Sequence, residues 1–245
     1  MRKWFGILVI IVLFSANLSA QQPTTNATTP KPSQAKMTIS ENMWDFGYIP
    51  QSSSVSHVYK ITNVGRDSLF IEKVRPSCGC TAAPLKKDKL APQESTDLFV
   101  TFNSGKYAGP IGKGIYITSN DSAMPGRSIT FSATVGDKNP IATLTPQSVE
   151  FDSIRTPKDN KKHIKLDNFS GNKLNILLLD NPGGFLKIKI KDLQLQANQS
   201  TQIEVALNKG LEPGWLKTSF TLQLDGSQKV KTTIPVKAFI NKESK

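Results

Sequence analysis

The chain has 245 residues, with 31 lysines and arginines against 19 aspartates and glutamates, a formal net charge of +12 at neutral pH. It offers only two cysteines and two histidines, where a closed zinc site needs about four ligands, and no paired acids stand at a spacing that suggests general acid–base catalysis. The lysines are scattered between apolar positions, with short runs only at Lys86–Lys87 and Lys161–Lys162; without a basic helix or aromatics interleaved with charge, nucleic-acid binding is disfavoured.

The first element is a secretory signal over residues 1–20. Arg2 and Lys3 form a charged start, Phe5–Phe14 is an apolar run, and small residues follow at Ser15, Ala16, Ser19 and Ala20. The run is short for a membrane span, which needs about 20 residues, so cleavage near Ala20 is expected and an uncleaved anchor is the alternative. No cysteine stands near the cut to carry a lipid, and no later segment is apolar enough to span a bilayer. The expected destination is outside the cytoplasm, periplasmic or extracellular. Without Arg2 and Lys3 the net charge is +10, which suits attraction to anionic envelope polymers as well as plain solubility. Residues 21–36, QQPTTNATTPKPSQAK, are polar and Pro-rich with no apolar period, and are expected to be a disordered leader.

From residue 37 onward the chain repeats itself. At an offset of 105, Trp44-Asp45-Phe46 falls on Val149-Glu150-Phe151, Ile61-Thr62-Asn63 on Leu166-Asp167-Asn168, and Gly109 on Gly214. Leu69 and Ile71 fall on Leu174 and Ile176, Ser95 on Ser200, and Ala133 and Val135 on Ala238 and Ile240. A period this long means tandem domains rather than a solenoid. The expected domains are 37–137 and 138–245, joined near Gly136–Pro140. Short β-branched or aromatic runs at 55–62, 69–74, 96–102, 114–118 and 128–135 alternate as strands do, and Gly, Asn, Asp and Pro separate them. Asn63–Ser68 reads as a hairpin turn, repeated at Asn168–Asn172. About seven short strands per copy and no helical period predict an all-β protein of two tandem immunoglobulin-like sandwiches.

The motifs of the first copy, in order, are Trp44-Asp45-Phe46-Gly47-x-Ile49, Tyr59-Lys60-Ile61-Thr62-Asn63-Val64-Gly65, Ser77-Cys78-Gly79-Cys80-Thr81, Leu90-Ala91-Pro92-Gln93-Glu94-Ser95 and Ile117-Thr118-Ser119-Asn120-Asp121. Over about residues 38–136 the chain resembles the bacterial family numbered 1573 among the domains of unknown function, and more distantly Hydin-like and major-sperm-protein-like modules. The resemblance implies an exported immunoglobulin-like domain with an adhesive or scaffolding role, and implies no biochemical activity. The second copy departs from it, since Cys78-Gly79-Cys80 falls on Gly183-Gly184-Phe185.

Cys78-Gly79-Cys80 is the main chemical candidate. As an oxidised pair it would close a very small ring and remove little chain entropy, so its structural value is small; packed thiols in the turn are the companion reading. As a redox pair it has Arg75 upstream to favour a thiolate, but no helix N-terminus. As a metal site, two thiolates suit Cu(I) or Zn(II), and His57, placed near Val74 by the hairpin reading, would be a third ligand. Intermolecular linkage is the remaining possibility. The coincidence of Gly79 with Gly184 marks a turn that a side chain would hinder. Trp44, Phe46 and Phe151 stand in register and read as core. Asp45 and Asp67 read as strand-edge and turn acids, and Trp215, after Glu212-Pro213-Gly214, as an exposed contact residue. No Gly-x-Ser-x-Gly, Walker, GxGxxG or His-Glu-x-x-His motif is present. The expectation is a non-enzymatic, cofactor-free binding or scaffolding protein of the cell envelope with a protein or polymer partner. The alternative is a thiol-dependent redox or copper-handling factor using Cys78 and Cys80.

Overall fold

Side chains alternate between the two faces of a strand, so a strand with one buried face buries every second residue. In β7 (Ser95–Asn103) these are Thr96, Leu98, Val100 and Phe102. The same alternation runs through a computed structural model that describes residues 33–136, 139–151 and 160–241. The expected signal peptide, most of the leader, and residues 137–138 of the expected linker lie outside the described residues.

The first half runs β1 (Met37–Ile39), β2 (Met43–Ile49), β3 (Ser54–Asn63), β4 (Leu69–Pro76), β5 (Thr81–Ala82), β6 (Lys89–Leu90), β7, β8 (Gly109–Ser119) and β9 (Gly126–Val135). The second runs β10 (Ala142–Thr145), β11 (Val149–Phe151), β12 (Lys161–Asn168), β13 (Leu174–Asp180), β14 (Leu186–Ile190), β15 (Gln194–Leu195), β16 (Ser200–Leu207), β17 (Gly214–Asp225) and β18 (Lys229–Ile240). One short 3-10 turn, Pro182–Gly184, precedes β14. Strand order repeats with the sequence: β1-β3-β7-β5 forms one sheet and β10-β12-β16-β14 its counterpart. The remaining strands form one continuous sheet, β15-β13-β17-β18-β2-β9-β8-β4-β6, with β11 also on β18. Two apolar cores result. Phe46, Tyr59, Phe102 and Phe131 lie in the first, and Phe151, Leu166, Phe220 and Val236 in the second.

Asn63–Ser68 does not turn a hairpin. β3 pairs with β1 and β7, whereas β4 pairs with β6 and β8, so the connection crosses from one sheet to the other. Val55, Tyr59 and Ile61 on β3 and Leu69 and Ile71 on β4 bury against one core from opposite sides, which two adjacent strands of one sheet would not need to do. The crossing is tied by Asn63, whose side-chain nitrogen donates to the carbonyls of Asp67 (2.9 Å) and Leu90 (3.1 Å), while its oxygen accepts from Gly65 N (2.9 Å). Asn168 repeats this with the carbonyls of Asn172 and Gln196 and with Ser170 N.

The end of the leader is also not free chain. Ala35 is buried in the first core, Val64 N and Arg66 N donate to the carbonyls of Lys36 and Gln34, and Asp67 accepts from Gln34 N at 2.9 Å. The polar composition of 33–36 concealed backbone pairing. The other singled-out acid, Asp45, accepts from Gly47 N and the Ser132 hydroxyl, both at 3.0 Å. Trp44 is only partly buried, against the full burial of Phe46.

The halves are held by more than their linker. β2 lies parallel to β18, with Tyr48 opposite Thr232. The Thr233 hydroxyl donates to the Phe46 carbonyl (2.6 Å) and the Thr232 hydroxyl to the Tyr48 carbonyl (3.2 Å). β3 packs on β17, where Ser56 N donates to the Ser219 hydroxyl (2.8 Å), which donates back to the Ser56 carbonyl (3.1 Å). Ser56 breaks the alternation of β3 because its outward face is covered by the second half. Gly47 sits at the tightest point, at φ +66°, where a Cβ would lie 2.1 Å from the Lys231 carbonyl oxygen. Gly47→Ala is expected to cost about 2–3 kcal/mol through backbone strain and a parted seam. Urea unfolding measures this; an unchanged midpoint would show that the seam does not need the glycine.

Candidate functional site

The turn that carries the cysteines begins where β4 ends and crosses from the sheet of β8 to that of β7, where β5 pairs. Ser77 N donates to the Gly114 carbonyl (2.8 Å) and its hydroxyl accepts from Gly114 N (3.1 Å), anchoring the turn to β8. The chain then turns over Cys78–Thr81, and Asn103 N donates to the Cys80 carbonyl (2.9 Å), fixing the far side on β7. Cys78 and Cys80 are joined as a disulfide, with Cα atoms 5.2 Å apart. Packed thiols are therefore not the state of the turn, and the sulfurs are not free as thiolate ligands. Both residues are half-exposed. The groups that approach them are hydroxyls: Thr81 Oγ1 lies 3.5 Å from Cys78 Sγ and 3.9 Å from Cys80 Sγ, and the Tyr107 hydroxyl donates to Cys80 Sγ over 3.7 Å.

Gly79 differs from expectation. Its φ is not positive, and a Cβ there would meet nothing within 4 Å. It shapes the turn without being sterically required by the fold. Its counterpart Gly184 does take a left-handed conformation (φ +62°), because the second copy makes a 3-10 turn where the first makes the cysteine turn.

His57 does not join the cysteines. β3 pairs with β7, so His57 stands opposite Val100, while Val74 stands opposite Ile117 in the other sheet. The imidazole is 5 % exposed, with Nδ1 2.6 Å from Asp180 and Nε2 2.9 Å from Glu41. It stacks on Trp44 (centroids 4.0 Å apart) and meets the edge of Tyr59. A neutral ring donates to one carboxylate only; a ring with both N–H groups donates to both. Asp180 belongs to the second half and Glu41 to the first, so His57 is a clamp across the seam. Burial pushes the Tyr59 phenol above its ordinary value, and the Glu41 carboxylate pushes the same way. The second histidine, His163, is exposed beside Glu204 at 3.8 Å.

Two other singled-out features do meet. A groove of about 500 Å³ between the halves is lined by Gly79, Cys80 and Thr81 on one side and by Phe185 and Trp215 on the other, with Thr101 in the β7 surface between. Trp215, at the start of β17, is 62 % exposed, backed by Phe239 and with Lys237 Nζ 4.8 Å from its ring. Phe185 reaches across the seam to Phe99, centroids 5.7 Å apart. Lys217 is the one charged residue of the lining. Phe185, Phe99, Tyr107 and Asp180 carried no motif. Phe185 alone had a signal, since it is the repeat partner of Cys80: one equivalent position from each copy faces the same groove. Among the described residues no group of three or more His, Cys, Asp and Glu is placed to hold a metal ion.

Residues 37–135 match the family described as Protein of unknown function (DUF1573). This is the family that the motifs from Trp44 to Asp121 resemble, and the match ends before the second copy. None of the curated proteins matches the chain. Among solved structures, a protein of unknown function from Porphyromonas gingivalis W83 is 15 % identical, covering 83 % of this chain and 99 % of that one, with a TM-score of 0.35. The ASH / PapD-like domain 7 of human CEP192 is 11 % identical, over 55 % of this chain and all of that domain, at 0.35. The Escherichia coli chaperone DraB is 11 % identical, over 82 % and 98 %, at 0.33. The all-β assignment rests on the strands and their order described above.

Intact-mass measurement is expected to find the native chain lighter by two hydrogens than its reduced form. Replacing both cysteines by serine should lower stability by at most about 1.5 kcal/mol, because so short a loop removes little entropy from the unfolded chain. His57→Ala should cost about 3 kcal/mol, by leaving two carboxylates without their shared partner. Equal urea midpoints for His57→Ala and the native chain would contradict the clamp.

Proposed function

We propose that the chain is an exported, non-enzymatic binding or scaffolding protein of the bacterial cell envelope. In this reading it is built from two tandem immunoglobulin-like sandwiches, and the groove between them receives an extended segment of a protein partner. The observation that carries the reading is the groove itself: Phe185 and Trp215 from one half face the cysteine turn of the other, over a surface of small polar side chains. Aromatic side chains with an exposed face are typical anchors of protein interfaces. Lys217 in the lining and Lys237 beside Trp215 favour a segment with acidic residues. An apolar, aromatic wall suits a protein segment better than an anionic polymer.

Support for a non-catalytic role comes from where the titratable groups are. The groove lining holds no carboxylate and no histidine, and both ring nitrogens of His57 are occupied by carboxylates inside the seam. Export is supported by the charged start, apolar run and small residues of positions 1–20. Among the described residues no helix is long and apolar enough to cross a membrane.

Two measurements test the reading. Cell fractionation with N-terminal sequencing should find the chain outside the cytoplasm, without its first ~20 residues, as a signal of that length implies; retention of Met1 in the cytoplasm would reject export. A photo-crosslinking residue at position 216 should capture an envelope protein in the native background and lose most of it in Phe185→Ala/Trp215→Ala. Equal capture in both backgrounds would reject the groove as the docking surface.

A further inference from the structure

We propose that the Cys78–Cys80 bond is a thiol–disulfide exchange site, acting on a cysteine of the protein segment that lies in the groove; only the placement of that segment rests on the docking reading above. Three observations carry it. The bond joins residues two apart, so it contributes little as a staple and some other property accounts for it better. The approach to it is open: both cysteines are half-exposed, and the space where a side chain of Gly79 would stand is empty. The sulfurs have a built environment. Thr81 and Tyr107 direct hydroxyls at them, and Lys113 Nζ lies 3.2 Å from the Tyr107 oxygen and 4.5 Å from its ring centroid. A cation donating to a phenol oxygen strengthens that phenol as a donor in turn. A sulfur with such donors is the better leaving group, because exchange is faster when the departing thiolate is stabilised.

The two sulfurs are not equivalent. Cys80 packs against the first core and has both hydroxyls within reach, whereas Cys78 has Thr81 alone. The order of events follows. A thiolate of the bound segment attacks Cys78 Sγ; a bond forms between the two, the Cys78–Cys80 bond breaks, and its electron pair leaves on Cys80 Sγ, held by the Tyr107 and Thr81 hydroxyls. A second thiolate of the segment then attacks its own sulfur in the mixed disulfide and releases Cys78 as a thiolate. The partner's dithiol becomes a disulfide, and Cys78 and Cys80 become a dithiol, with two electrons and two protons transferred to this chain. Phe185 occupies the place of Cys80 in the second copy, so that copy supplies a groove wall and no sulfur.

The experiment uses the full chain and two probes: reduced glutathione, and an acidic, aromatic peptide with one cysteine. Exchange is quenched with acid and read by intact mass. The native bond should open with glutathione, and Tyr107→Phe should slow this about tenfold, the order expected for losing a donor to a leaving thiolate. Cys80→Ser, offered the peptide as its disulfide with glutathione, should hold the peptide as a stable mixed disulfide on Cys78, the Cys78 thiolate attacking the peptide sulfur and glutathione leaving as a thiolate. The peptide should react faster than glutathione, an advantage lost in Phe185→Ala/Trp215→Ala. A native bond that resists both probes, while the same bond in urea-unfolded chain exchanges, overturns the proposal. Capture by Cys78→Ser but not by Cys80→Ser overturns the order of attack. Persistent exchange with no preference for the peptide upholds the exchange site and rejects the docking reading alone.

Discussion

The structure depends on one close approach. Gly47 brings the backbone of β2 against Lys231 on β18, at a distance that no Cβ permits. This contact lets the two sheets continue into one another, and the hydroxyls of Thr232 and Thr233 reach the β2 carbonyls that become available there. The seam is made of small polar side chains, Ser56 and Ser219 foremost, all of them buried. Such a junction depends on hydrogen-bond geometry more than on area, because each buried hydroxyl is costly unless paired. His57 completes it by joining a carboxylate from each half.

The groove follows from that seam. Pairing β2 with β18 and packing β3 on β17 leaves the outer surface of β7 uncovered beside the start of β17. The cysteine turn and the Pro182–Gly184 turn are equivalent places in the two copies, and the seam turns them toward one space. Neither half makes the site alone. The first half supplies the sulfurs and hydroxyls, and the other half supplies Phe185, Trp215 and Lys217. Cys80 and Phe185, equivalent positions at the offset of 105, thus stand on two walls of different chemistry.

Much of this was readable along the chain. The offset of 105 maps β3 on β12, β7 on β16 and β8 on β17, and Asn63 and Asn168 hold the same crossings. Periodicity reports which face of a strand is buried, so the cores around Phe46 and Phe151 were visible. Pairing was less so. Asn63–Ser68 looks like a hairpin turn because turn residues mark a change of direction, not the sheet that receives the next strand. That single misreading moved His57 to the cysteines. Gly79 looked conformationally required because its repeat partner is a glycine, yet only Gly184 has a positive φ. Residues 33–36 read as free leader because their pairing uses backbone groups, which composition does not report.

The sequence by itself determined that the protein is all-β, that its strand pattern recurs at an offset of 105, and that its two cysteines sit in one turn of the first copy. These are properties of alternation, turn chemistry and self-similarity, all local or periodic along the chain. Tertiary structure alone decided that Cys80 and Trp215 share a groove, that His57 is a clamp, and that Tyr107 and Lys113 attend the disulfide. Those relations depend on which strand edges meet across the seam. That choice was made by a glycine's missing side chain and a few buried hydroxyls, and neither leaves a period in the sequence.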